Sequence, residues 1–204
     1  MTQPKTLLEM AGVGAKLPKL AAGNVAVVLI DYQMEYIDGR LPLPGAVFAI
    51  GEAVRIVEAA RSAGRPIFHV QHKGQPGGLF GPDTPGFRLA PALTPVGGEP
   101  IINKGMPNSF AGTDLDARLR ARGIKEIVFA GFMTHMCVSS TVRAGVDLGY
   151  SATVLASACA TRDLPDGQGG VVDAATLHRA ELAALGDRFA AIAHDAAALL
   201  EASR

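Results

Sequence analysis

Cysteine is scarce in this chain: Cys137 and Cys159 are the only two in 204 residues. Two thiols cannot build a disulfide scaffold, and they are not spaced as C-x-x-C. No H-E-x-x-H or paired-cysteine zinc pattern occurs, so the sequence offers no metal motif, and no cofactor is expected. Net charge is missing too, because 19 basic and 19 acidic residues cancel. That excludes a strongly basic nucleic-acid binder, or an acidic tail, as the main business of the chain. Charged residues make up 19% against 49% hydrophobic, which excludes disorder and leaves enough apolar mass for a sizeable core. So uncharged a surface favours burial of part of it in a homo-oligomer, a dimer or larger. No apolar run reaches the roughly 18 residues of a membrane span. The opening MTQPKTLLEMAG has no apolar signal-peptide core. The expected setting is a reducing cytoplasm, with both thiols free and no membrane partner.

What is present is an alternation. Residues 1–23 read as a leader that packs on the domain, and Thr6 to Glu9 has capping-box spacing for a short helix. Residues 24–204 read as a single domain. Asn24 to Ile30 (NVAVVLI) is apolar throughout and mostly β-branched, as a strand buried on both faces requires. Further strands are expected at 66–71, 100–103, 126–130, 151–155 and 189–192. Helices are expected at 45–63, 113–122, 138–148, 173–185 and 196–202. The stretch 73–98, crowded with glycine and proline, is too long for a passive connection. Strands alternating with helices imply an α/β fold, a three-layer α-β-α sandwich around a six-stranded, mostly parallel, Rossmann-like sheet. Such sheets bind ligands at the C-terminal ends of their strands.

Three chemically capable residues follow strands. Asp31 ends the first, Lys104 the third, and Cys137 lies in the turn after the fourth. Placed at the mouth of a helix, Cys137 would have its thiol pKa lowered by backbone N–H groups and the helix dipole. Taken alone, a free cysteine is more often a buried structural thiol. Cys159, in ASACA with no charged neighbour, fits that description. Asp31, partly desolvated at the sheet edge, would have a raised pKa and accept the thiol proton. An ordinary turn aspartate and a solvated surface lysine are the plainer readings of Asp31 and Lys104. The coincidence of all three at strand ends favours a site.

These residues lie in three segments: Leu29-Ile30-Asp31-Tyr32-Gln33, Asn103 to Phe110 (NKGMPNSF), and Gly131 to Val138 (GFMTHMCV). In this order and spacing the chain resembles the isochorismatase-like cysteine hydrolases, from Val25 to about Ala193. The resemblance implies an Asp–Lys–Cys triad, with Asp31 as general base, Lys104 as its electrostatic partner and Cys137 as nucleophile. It also implies a cis peptide between Phe132 and Met133, which aims the Met133 N–H and the Cys137 N–H together as an oxyanion hole. Tyr36 and Phe110 would wall the pocket, Gln33 would organise it beside the aspartate, and Thr134 and His135 would line it.

The departures narrow the activity. Zinc-containing nicotinamidases of this family carry an Asp-x-His pair after the second strand. Here the segment is Phe68-His69-Val70-Gln71-His72, with the two histidines three apart and on opposite faces. No metal is therefore expected. Isochorismatases proper lack the nucleophilic cysteine, which is present here. The reading is a hydrolase of a small-molecule amide, lactam or ureide that works through a thioester. The alternatives are a family hydrolase acting on another bond type, and a non-catalytic thiol or binding protein on the same fold. Leu79, Phe80 and Phe87 on the long loop are expected to cover the pocket of the same or a neighbouring subunit, with Arg88 as a candidate anion partner.

Overall fold

The run VAVVLI forms β1 (Val25–Ile30), and every one of its residues is buried. Its side chains alternate between two cores. Val25, Val27 and Leu29 enter one, and Ala26, Val28 and Ile30 enter the other. A strand with apolar groups on both faces has to sit inside a sheet covered on both sides. The computed structural model describes residues 3–14 and 16–203 and places β1 in that position.

The remaining strands are β2 (Ile67–His72), β3 (Ile101–Lys104), β4 (Glu126–Phe132), β5 (Ser151–Ala160) and β8 (Ala190–Ala193). With β1 they form a six-stranded sheet in the order β3-β2-β1-β4-β5-β8, and every neighbouring pair is parallel. A separate two-residue hairpin, β6 (Leu164–Pro165) with β7 (Val171–Val172), lies in the irregular segment after β5. Strand order reverses between β1 and β4, so the switch point lies beside the exits of those two strands.

One face carries α2 (Ala46–Ser62) and α6 (Ala196–Ala202); the other carries α3 (Leu115–Ala121), α4 (Ser139–Asp147) and α5 (Ala174–Arg188). On α2 the buried positions Ala46, Ala49, Ile50, Ala53, Ile56, Val57 and Ala60 recur at three- and four-residue spacing, which gives one apolar stripe. Asp173 and Asp195 cap α5 and α6 through side-chain bonds to the Thr176 and Ala198 N–H groups. The short α1 (Leu7–Met10) opens with the capping box of Thr6 and Glu9, and its Leu7 N–H donates to Asp187 Oδ1 at 2.8 Å.

Several expectations need correction. The fifth strand does not stop at Leu155 but continues to Ala160, so Cys159 lies within it. Register shifts between Phe129 and Gly131 to absorb the extra length. The small residues of Ala156-Ser157-Ala158-Cys159-Ala160 suit a strand as readily as a loop, and the last two pair with Gly131 and Phe132 of β4. The turn that holds Cys137 is a π-helical turn (Thr134–Val138), and α4 begins only after it.

Candidate active site

Asp31 is the first residue beyond β1, and its backbone turns left-handed (φ 54°). That conformation is uncommon outside glycine and tolerated best by Asp and Asn. The turn leaves the Asp31 N–H bonded to the Val70 carbonyl, and the carboxylate is completely buried at the switch point. Lys104, at the end of β3, is equally enclosed, with its Nζ 2.7 Å from Asp31 Oδ2. The contact is a fully buried ion pair at hydrogen-bond distance. The same Nζ donates to Cys137 Sγ at 3.3 Å and lies 3.3 Å from His72 Nδ1. Three side chains distant in sequence thus meet around one ammonium.

The electrostatics follow from burial. Asp31 is raised above the ordinary carboxylate range because its desolvation outweighs the pull of Lys104. The Cys137 thiol is pushed up to about 12, first by burial and then by the Asp31 charge, with Lys104 opposing. This corrects the expectation of a lowered thiol pKa. The N–H groups of the turn are outweighed by enclosure beside a carboxylate. One cation enclosed with two acids supports one negative charge, and a second is too costly in so dry a place. Cys159 is also pushed up to about 12, by burial, and it donates to the Leu155 carbonyl.

The peptide bond between Phe132 and Met133 is cis. Met133 is buried, and its carbonyl accepts from the Met136 and Val138 N–H groups at 3.0 and 3.2 Å, which shapes the turn around Cys137. Gly131, just before, has φ 143°, and a Cβ there would stand 2.0 Å from the Ile30 carbonyl oxygen. The close approach of β4 to β1 at the switch point therefore requires glycine.

Tyr36 is buried, with its ring 4.9 Å from Phe80 and 5.7 Å from Phe132. Burial raises its hydroxyl well above the ordinary value, with the Asp31 and Cys137 charges adding to the effect. Gln33 spends its amide on backbone: Nε2 donates to the His72 and Phe87 carbonyls at 2.9 Å each, and Oε1 accepts the His72 N–H at 2.8 Å. It fastens the exits of β1 and β2 to the long loop. Thr134 is buried with its hydroxyl 2.8 Å from His178 Nδ1 on α5. His135 Nδ1 is 2.5 Å from the Thr161 hydroxyl, while its Nε2 is buried without a partner. Phe110 does not stand beside Tyr36. Its ring stacks on Tyr150 at 6.0 Å, and it packs against the core on the α3–α5 face of the sheet.

Part of the long loop packs on its own chain beside the candidate site. Phe80, itself left-handed at φ 55°, lies against Tyr36 and His72. Leu79 is exposed, and so is Arg88, whose carbonyl accepts the Met34 N–H. His69 and His72 separate as their spacing requires: His69 Nε2 meets Glu99 at 2.8 Å, and His72 turns to Lys104. His72 is the site residue that the sequence pattern does not single out. Its signal is the register, which pairs it directly with Lys104 on β3.

A parallel sheet with this strand order, carrying a cysteine turn beside an Asp–Lys ion pair at one edge, defines an α/β protein with its candidate site at the switch point. The isochorismatase domain model matches residues 25–196. A solved isochorismatase (PP1826) from Pseudomonas putida KT2440 superposes with a TM-score of 0.89 at 40% identity, covering 94% of this chain and 97% of that one. An uncharacterised isochorismatase family protein, YddQ of Bacillus subtilis, is 37% identical over 172 residues, 83% of this chain and 95% of its own length. Streptothricin hydrolase of Streptomyces noursei is 33% identical over 164 residues, 79% of this chain and 59% of its own. Ureidoacrylate amidohydrolase RutB of Pseudomonas syringae is 30% identical over 176 residues, 69% of this chain and 72% of its own. This chain belongs to the isochorismatase family.

Proposed function

We propose that this chain is a hydrolase of a non-peptide C–N bond in a small molecule, an amide, lactam or ureide, and that it works through a thioester on Cys137. The observation that carries the reading is the position of Lys104 Nζ, 2.7 Å from Asp31 and 3.3 Å from Cys137 Sγ. Relatives named streptothricin hydrolase and ureidoacrylate amidohydrolase support the reaction class.

The raised thiol dictates the order of events. Cys137 does not ionise into solvent; it passes its proton to Asp31 as Sγ attacks the substrate carbonyl carbon. The total charge beside Lys104 is then unchanged, so no second anion is created in the enclosure. The carbonyl oxygen takes the negative charge and is held by the Met133 and Cys137 N–H groups as an oxyanion hole. Collapse of the tetrahedral species breaks the C–N bond, and Asp31 returns its proton to the leaving nitrogen. Water, deprotonated by Asp31, then attacks the thioester carbon; collapse breaks the C–S bond and releases the acid, and Asp31 returns the proton to Sγ to restore the thiol. Gln33, Tyr36, Thr134 and His135 form the surrounding shell, with Gln33 acting through the backbone it ties.

The test is a panel of amides, lactams and ureides, screened by release of ammonia or amine, with intact-mass trapping at low pH. Wild-type protein is expected to accumulate an adduct on Cys137 with one substrate class, and Cys137→Ala to lose both adduct and turnover. Turnover that survives in Cys137→Ala overturns the mechanism. Hydrolysis of a vinyl ether without an adduct would favour another bond type.

A further inference from the structure

We propose that His72 is a positioning residue for Lys104: its neutral imidazole takes the third N–H of the ammonium and thereby fixes Nζ between Asp31 and Cys137. The inference rests on the reading of Cys137 as the nucleophile and adds to it the group that holds its cation.

A lysine ammonium has three N–H groups and no accepting capacity. Around Lys104 Nζ stand three acceptors: Asp31 Oδ2 at 2.7 Å, Cys137 Sγ at 3.3 Å and His72 Nδ1 at 3.3 Å. The side chain is fully enclosed, so water is no substitute for any of them. Without the third acceptor, a flexible four-carbon stem has only two anchors, both of which change protonation during the reaction. His72 does not.

The imidazole is itself held from three sides. The sheet register sets His72 opposite Lys104. The Gln33 amide grips both its backbone N–H and its carbonyl. The Phe80 ring meets its ring edge-on at 5.3 Å. The charged groups that face it are Lys104 from β3 and Asp31 from the end of β1; the group packed on it from the long loop is the apolar Phe80. Burial and then Lys104 lower its pKa below the ordinary imidazole value, with Asp31 opposing. The neutral ring therefore persists through neutral pH. Falling pH eventually protonates Nδ1, removes the acceptor and sets a second cation against the ammonium. The hold on Lys104 is intact above the lowered histidine value and lost below it.

Two variants of the full-length protein separate positioning from packing. His72→Leu keeps bulk against Phe80 and removes the acceptor. His72→Asn places an amide oxygen near the site of Nδ1 and does not titrate. The readout is the rate of Cys137 labelling by iodoacetamide, followed by peptide mass spectrometry across the acidic and neutral range. His72→Leu is expected to slow labelling about tenfold or more at neutral pH, because a displaced Lys104 no longer stabilises the thiolate. His72→Asn is expected to recover most of that rate and to lose the additional break that His72 protonation adds, in the wild type, to the steady fall of labelling with pH. Equal slowing in both variants, or the same additional break in His72→Asn, overturns the proposal. Imidazole nitrogen NMR supplies an arm independent of Cys137. The wild type should show the Nε2–H tautomer of His72, and Lys104→Met should raise the pKa of His72. The opposite tautomer, or a His72 titration indifferent to Lys104, also overturns it. If no form of the protein labels Cys137 while the NMR signature holds, the nucleophile reading falls and the Lys104–His72 contact stands.

Discussion

Asp31 and Cys137 form one titrating unit, and the sign of their coupling gives a counterintuitive prediction. The Asp31 charge is among the causes that push the thiol up to about 12. Removing it with Asp31→Asn should move the Cys137 alkylation profile to lower pH, so that iodoacetamide labels the variant faster near neutrality. Turnover should move the other way, by about 10²–10⁴-fold, because the variant has no group to take the thiol proton and return it to the leaving nitrogen. Lys104→Met should shift the labelling profile to higher pH, since Lys104 is the opposing influence. Peptide-resolved labelling with Cys159 as internal reference measures both shifts. An Asp31→Asn profile shifted upward would mean that the carboxylate does not face the thiol. At this scale the meeting of Asp31, Lys104 and Cys137 is legible in the sequence, because residues that follow parallel strands share one sheet edge. Thr134 and Phe110 are not legible. Their partners are His178 and Tyr150, each 40 or more residues away, and nothing local announces which way a turn residue will face. The direction of the thiol's shift is also hidden, since the burial of Cys137 has no local sequence sign.

At the scale of elements, the strands and helices are legible wherever their composition is unambiguous. The β-branched run of β1 and the three- and four-residue spacing of α2 each admit one periodicity. The end of β5 is obscure because a run of small residues has none. The same β4–β5 region contains the tightest backbone approach of the switch point. Gly131→Ala would drive a Cβ to 2.0 Å from the Ile30 carbonyl and impose an L side chain on φ 143°. The strands must then separate, and the exits of β1 and β4, which carry Asp31 and the Cys137 turn, move apart. The expected result is destabilisation by about 2–4 kcal/mol, together with loss of the Asp31-dependent labelling profile. Urea denaturation and the labelling assay check the two halves separately. Unchanged stability would mean that the bulge relaxes without cost. The loop over the site is legible as too long and too rich in glycine to be passive. Its fastenings, through Gln33 and through Glu35 against Gly86, are not.

For the molecule as a whole, strand order is the property least visible in sequence, yet it decides where the site lies. Alternation fixes the layers, but only the pairing of β1 with β4 sets Asp31 beside the cysteine turn. Acid stability offers a global measurement of how the opposite end of the sheet is tied. Glu99 joins Arg61 on α2 and His69 on β2 to the close of the long loop. Burial alone would raise its carboxyl, but Arg61, His69 and the Val96 N–H together hold it down at about 2. A carboxyl lowered in the folded state binds its proton more weakly there than in the unfolded chain. Its contribution is therefore complete above the ordinary value of 4.5 and disappears as pH falls toward about 2. Asp31 works with the opposite sign: its raised carboxyl binds the proton more tightly when folded, so protonation of Asp31 favours the fold as pH falls. The two partly cancel in the wild type, and Glu99→Gln separates them. That variant is expected to be less stable by roughly 2 kcal/mol at neutral pH. Its deficit should shrink toward zero as pH drops through the window below 4.5, because the wild type loses there what the variant never had. Thermal melts across that range, wild type against Glu99→Gln, read the difference directly. A deficit that stays constant with pH would assign Glu99 a packing role and remove the ion network from the account of how the loop is anchored.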